Sequence, residues 1–171
     1  MFFIKDDNFL SDLSKRYIHQ SFLNTGFPYY YGGELIIDSE EHIPFLAHVI
    51  KKRDDDLINS DCYQDCINMI VEFTEKHKIK YKEILRMAVN FTYPNGFEKC
   101  PVHQDHPFPH KQLLIYLNDP QDKNARTVIL GNNKKYEIQP QQYRAICFEN
   151  KPHFHYFPKV GERIVLVATF K

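Results

Sequence analysis

Apolar and polar positions follow two different rhythms along the chain, and the change falls near residue 80. Cys62, Tyr63, Cys66, Ile67, Ile70, Val71 and Phe73 recur at three- and four-residue intervals, the period of one helix face. Ser60 and Asp61 stand just ahead as N-cap residues, so the pattern predicts a helix running to about Lys78. Ile43, Leu46, Ala47 and Ile50 share that spacing and predict a second helix within residues 40–52, whose start Pro44 confines. Phe27-Pro28-Tyr29-Tyr30-Tyr31-Gly32-Gly33 is a turn-rich aromatic segment. The first half is therefore expected to be helical and irregular.

Beyond residue 80 the apolar runs become short, rich in β-branched residues and closed by turn signals. Residues 84–93 end at Pro94-Asn95-Gly96, 113–117 at Asn118-Asp119-Pro120, and 127–130 at Gly131-Asn132-Asn133. Residues 134–138, 145–148 and 164–170 complete the set. Many short, closely spaced strands predict an antiparallel sandwich or roll. The chain of 171 residues reads as a single domain, in which residues 1–80 support a β-roll formed by residues 81–171.

Composition narrows the function classes. Lys plus Arg and Asp plus Glu both total 22, so the net charge is zero and the basic excess of a nucleic-acid binder is missing. No apolar run approaches the roughly 18–20 residues of a membrane helix. The start shows no basic segment followed by an apolar stretch, and four scattered Cys make no disulfide framework. A cytoplasmic setting is expected. Fourteen Phe, eleven Tyr and nine His supply polar tips on apolar bodies, suited to a half-polar pocket.

The residues that carry chemistry begin with His103-x-Asp105. At i and i+2 of an extended segment, imidazole and carboxylate share one side and can grip one divalent metal. Chance alone supplies about 0.6 such pairs in this composition, so companions matter. A second His completes a two-His, one-carboxylate triad that leaves open coordination positions. His153 follows a strand and turn, but His155 lies two residues on, and periodicity does not separate them. Arg163, ten residues after His153, offers a planar fork for a carboxylate. Tyr93 and Tyr116 carry hydroxyls near the same strands. Arg86 could reach the cavity from the first strand but reads first as a surface ion-pair partner. Residues 51–56 read as a solvated helix end and loop, and Cys62 with Cys66, one helical turn apart and so a conceivable metal pair, as core packing. A zinc site from Cys100, His103, His106 and His110 has irregular spacing broken by Pro101, Pro107 and Pro109.

The ordered set Tyr93-x-x-Gly96, His103-x-Asp105, Tyr116-Leu117-Asn118, Pro140, Phe148, His153 and Arg163 resembles the iron(II)/2-oxoglutarate-dependent oxygenases, especially their prolyl-hydroxylase-like branch. The resemblance covers residues 84–171 well and the first half loosely. It implies a mainly β fold with α, a double-stranded β-helix (jelly roll, cupin-like) supported by N-terminal helices. It further implies that His103, Asp105 and His153 ligate Fe(II), with His155 as the alternative third ligand. Arg163, assisted by Tyr116 and Tyr93, would hold the distal carboxylate of 2-oxoglutarate. The gap of ten to Arg163 favours His153, since His155 leaves eight. Dioxygen and 2-oxoglutarate would be co-substrates, ascorbate an accessory reductant, and hydroxylation of a peptide or small molecule the expected outcome. One departure stands out: the Gly-Gly-x-Thr turn common in the family is here Asn124-Ala125-Arg126-Thr127. The competing reading is a non-enzymatic metal- or ligand-binding roll.

Overall fold

A computed structural model describes residues 2–32, 43–53, 57–131 and 133–171. Ten strands and two helices run in the order β1 (Phe3–Asp6), α1 (Asp12–Gln20), β2 (Tyr30–Gly32), β3 (Phe45–Lys51), α2 (Tyr63–Lys76), β4 (Ile84–Thr92), β5 (Lys111–Tyr116), β6 (Thr127–Leu130), β7 (Lys135–Ile138), β8 (Ala145–Glu149), β9 (His153–His155) and β10 (Arg163–Phe170). Seven strands form an antiparallel sheet in the order β1-β8-β5-β10-β4-β3-β2, and β7-β6-β9 form a smaller sheet facing it. This is a jelly roll, a double-stranded β-helix closed by antiparallel pairing.

Side-chain alternation divides the large sheet into two working faces. One face carries Met87, Val89, Leu113, Ile115, Cys147, Leu166, Ala168 and Phe170, and both helices bury against it. The other carries Leu114, Tyr116, Ile146, Phe148, Val165 and Val167, which meet Ile129 and Ile138 of the small sheet inside the roll. Because β10 is covered on both faces, all eight of its residues are buried and its apolar run has no period.

Helix α1 starts at Ser11, whose Oγ accepts from the Ser14 backbone N–H at 3.2 Å. Glu72 of α2 accepts from the Ser11 N–H and hydroxyl at 2.9 and 2.6 Å and from the Ser14 hydroxyl at 2.9 Å, which fastens the two helices together. Helix α2 confirms the strongest helical pattern in the sequence, with one correction at its start. Cys62 occupies the cap without a side-chain hydrogen bond, while Ser60 Oγ lies further out, accepting from the Cys62 N–H.

The helix expected within residues 40–52 is instead strand β3. Its FLAHVIK run lies between β2 and β4, with five of seven residues buried, and a strand covered on both faces shows no alternation. The four apolar positions that match a helical period are therefore coincident with a continuous buried run. The same correction bears on the helix end expected at residues 51–56, of which 54–56 lie outside the described residues: Lys51 closes β3, and Lys52 N–H bonds the Leu57 carbonyl at 3.0 Å. Residues 33–42, 54–56 and 132, which include part of that expected helix, lie outside the described residues. The aromatic segment splits: Phe27 and Tyr29 pack on Phe22 and Phe91, while Tyr30 and Tyr31 are 63% and 71% exposed. Among the described residues no helix is long and apolar enough to cross a membrane.

Phe73 anchors α2, fully buried and set edge-on to Phe9 at 5.2 Å between ring centroids. Phe73→Ala is expected to lower the free energy of unfolding by about 3–5 kcal/mol, read as a lower urea midpoint at unchanged slope.

Candidate metal centre

Strand β9 is bordered on one side by β6 and on the other by the segment leading to β5. There His103 and His153 form an antiparallel bridge, each backbone N–H bonding the other's carbonyl at 3.0 and 2.9 Å. This pairing joins residues fifty apart and brings their ring centroids to 4.4 Å. Each Nδ1 lies 3.0 Å from a backbone carbonyl two residues back, Pro101 for His103 and Lys151 for His153. A carbonyl only accepts, so Nδ1 carries the proton and each Nε2 keeps its lone pair for a ligand.

Asp105, two residues beyond His103, completes the group. The candidate ligand atoms of His103, Asp105 and His153 all lie within 4.8 Å of one another. Asp105 Oδ2 is buried, lies 3.8 Å from His153 Nε2 and has no hydrogen-bond partner. An orphaned carboxylate oxygen between two outward Nε2 atoms is the donor set of a divalent first-row metal, so the residues fit the group.

The electrostatics favour the same outcome. Burial pushes the His153 ring down to about 4, and His103 adds to that, so the imidazole is neutral near pH 7. Burial alone would raise the Asp105 carboxyl; the positive potential around it outweighs that and holds it below the usual value. In the acid range where that carboxyl titrates, the His153 ring contributes most, followed by Arg86, His103 and Arg53, and Arg53 Nη2 stands 3.8 Å from Asp105 Oδ1. Gln112 of β5 approaches His153 Nε2 at 3.3 Å.

A second polar cluster lies further along the roll interior. Arg163 opens β10 and is only 4% exposed; its Nη2 donates to Thr127 Oγ1 at 2.9 Å, and its Nε has no partner. Tyr116 is fully buried, with its hydroxyl 2.6 Å from Thr127 Oγ1 and its ring 5.3 Å from the guanidinium carbon. His155 stands opposite Thr127 in the register of β9 and β6. Its Nδ1 is 3.2 Å from Cys100 Sγ, its Nε2 is buried without a partner, and burial with Arg163 nearby drives its ring well below the ordinary value. Among the described residues Arg163 has no acidic partner within ion-pair distance. A buried cation left so works against folding, and an anion supplied from outside offsets that cost.

Of the site residues expected from sequence, the structure brings His103, Asp105 and His153 into one group, and sets Arg163 and Tyr116 into the second cluster. His155 faces Cys100 and the Arg163 cluster, outside the three-residue group. Tyr93 lies just past the end of β4, where strand parity places Thr92 opposite Arg163, and it makes no hydrogen bond to the cluster. Thr127 and Gln112 were not singled out; parity on β5 and β6 is the signal that points to them. Arg86 is not a surface ion-pair partner: it stands on the interior face of β4, within the field of Asp105.

No family model matches the sequence, and no curated protein does. Solved structures do match the fold. An oxidoreductase of the 2OG-Fe(II) oxygenase family from Burkholderia pseudomallei superimposes with a TM-score of 0.74 at 12% identity, covering 99% of this chain and 85% of that one. A prolyl hydroxylase from Trichoplax adhaerens, in complex with a hypoxia inducible factor peptide, gives 0.69 at 18% identity over 98% and 82%. A Pseudomonas putida prolyl-4-hydroxylase gives 0.67 at 14% over 99% and 91%. The fold is thus that of the 2OG-Fe(II) oxygenases, and the chain spans most of each neighbour.

Anaerobic titration with Mn(II) is expected to show one site. His103→Ala and Asp105→Ala should each weaken it by at least the 10- to 100-fold typical of losing a mere supporting partner (about that order). His155→Ala should leave Mn(II) affinity within about twofold, since its ring lies outside the three-residue group.

Proposed function

We propose that this chain is a non-haem Fe(II)- and 2-oxoglutarate-dependent oxygenase whose outcome is hydroxylation of a C–H bond. The observation that carries the reading is a pairing of two opposite deficits inside one roll. Among the described residues, Asp105 Oδ2 is a buried anion without a donor, and Arg163 is a buried cation without an acid. A divalent metal satisfies the first, and a carboxylate the second.

His103, Asp105 and His153 hold the metal, the two rings kept in the correct tautomer by the Pro101 and Lys151 carbonyls. Bound there with 2-oxoglutarate, Fe(II) supplies dioxygen activation coupled to loss of carbon dioxide and formation of succinate. Arg163 receives the distal carboxylate, with Thr127 and Tyr116 fixing its guanidinium and His155 Nε2 facing the same space. Phe148, with its ring 5.3 Å from that of His153, and the apolar side chains of Leu114, Ile146 and Val167 keep the interior dry. In such surroundings a fixed charge acts at low effective dielectric.

Hydroxylation is one of several outcomes on this fold. Prolyl hydroxylases stand among the structural neighbours, alongside an alpha ketoglutarate dependent epimerase, SnoN, and a carbocyclase, SnoK, both from nogalamycin biosynthesis. The nearby prolyl hydroxylases favour the first outcome.

Mixing apoprotein anaerobically with Fe(II) and 2-oxoglutarate is expected to produce a weak visible charge-transfer band, and admitting oxygen should release succinate. A protein that binds metal but shows neither is the non-enzymatic roll, and the proposal fails. Arg163→Ala should keep metal binding while raising the 2-oxoglutarate requirement about 10- to 100-fold, corresponding to the roughly 1.5–3 kcal/mol of hydrogen bonds to a charged group.

A further inference from the structure

The interior face of β4 carries a guanidinium that the reading above leaves unused. In the register of the large sheet Arg86 stands opposite Thr169 of β10, and Thr169 stands opposite Gln112 of β5. Gln112 touches His153, so this cross-strand row leads from Arg86 to the metal group in two strand spacings, about 10 Å of backbone. Thr169 makes no hydrogen bond to Arg86; its hydroxyl bonds His106 Nε2 at 2.8 Å. Among the described residues Arg86 makes no hydrogen bond and no ion pair.

Charge accounting sharpens the point. If the centre is filled as proposed, Asp105 and the 2-oxoglutarate dianion cancel the ferrous ion and Arg163. Arg86 is then left over, with Arg53 beside it at Asp105. Burial works against the Arg86 cation, and the one acid whose field supports it, Asp105, is committed to the metal. A lone guanidinium next to a filled metal centre is satisfied by one more carboxylate, gripped through its planar fork.

We propose that Arg86 is the recognition group for a carboxylate on the primary substrate, held on the β4 side of the metal centre and distinct from the Arg163 subsite. This assignment rests on the oxygenase reading and adds the class of substrate: an organic acid, supplied either as a free small molecule or as an acidic residue or C-terminus of a peptide.

The test uses the full chain loaded with Mn(II) and saturating 2-oxoglutarate, both verified by direct binding. Trifluoroacetate is the probe, and fluorine NMR reads its paramagnetic relaxation by the bound Mn(II). Trifluoroacetate is expected to relax faster than trifluoroacetamide, and Arg86→Gln should erase the difference while Arg86→Lys restores part of it. Arg126→Gln, a change at a half-buried guanidinium paired with Glu137 away from the metal group, should leave it intact. No difference between acid and amide probes, or a difference that survives Arg86→Gln, overturns the assignment. Failure of the wild type to load Mn(II) and 2-oxoglutarate instead overturns the oxygenase reading beneath it. With Fe(II), succinate release is then compared between free L-amino acids and their amides, and between blocked peptides carrying Glu or Gln. Greater release with the acid member of either pair, lost in Arg86→Gln, supports the assignment and identifies its source; equal release within both pairs counts against it.

Discussion

The two backbone hydrogen bonds between His103 and His153 are the constraint on which the centre depends. They are ladder bonds in form, yet what they fix is the meeting of two imidazoles from distant parts of the chain. A strand displaced by one residue would turn its side chains to the opposite face, so the bridge sets register and ligand direction together. The same carbonyl-rich turns that lead into it, Pro101 to His103 and Lys151 to His153, hold the Nδ1 protons. Backbone geometry thus determines position, direction and tautomer at once.

That centre is expensive for the fold. An orphaned carboxylate oxygen, an unpaired Arg163 Nε and a partnerless His155 Nε2 all lie in a buried interior, and each such group works against folding. The opposing stabilisation is placed elsewhere. The larger apolar cluster lies on the far face of the sheet, where α2 buries Cys66, Met69, Ile70 and Phe73 completely. Separating the two faces allows the roll interior to carry unsatisfied charge without opening. The helices therefore serve the site indirectly, by stiffening the sheet from which Arg86, Gln112 and Arg163 project.

How much of this was legible in the sequence depended on whether a segment is covered on one side or two. The α2 pattern survives because one face of that helix meets solvent, and the C-terminal strands survive because turn residues bracket them. Strand β3 was misread because burial on both faces removes the alternation that identifies a strand. Strand β9 is three residues long, too short to show any period, yet it holds His153 and His155. Their shared parity was readable; their different neighbours, Gln112 for one and Cys100 for the other, come from pairing across the roll and leave no local trace. Arg86 was misjudged for the opposite reason. An Arg in a strand usually marks the solvent side of the sheet, and here that side faces the interior of the roll.

On the proposed reading, the two interior arginines would let one roll sort two acids. Arg163 is bordered by hydroxyls, Thr127 bonded directly and Tyr116 behind it, and it sits where the strands close. Arg86 is bordered by a threonine already bonded to His106, and by the charge of Asp105. Burial drives the His106 ring down to about 4, so it stays neutral near pH 7 and adds no competing positive charge beside Arg86. A dianion long enough to span from the metal to Arg163 is held at both ends, whereas a monocarboxylate gains only one such contact there. A hydroxyl that accepts from one guanidinium, and a hydroxyl bonded to His106 instead of the other, would give the two positions different selectivity from the same side-chain type, without any movement of the backbone.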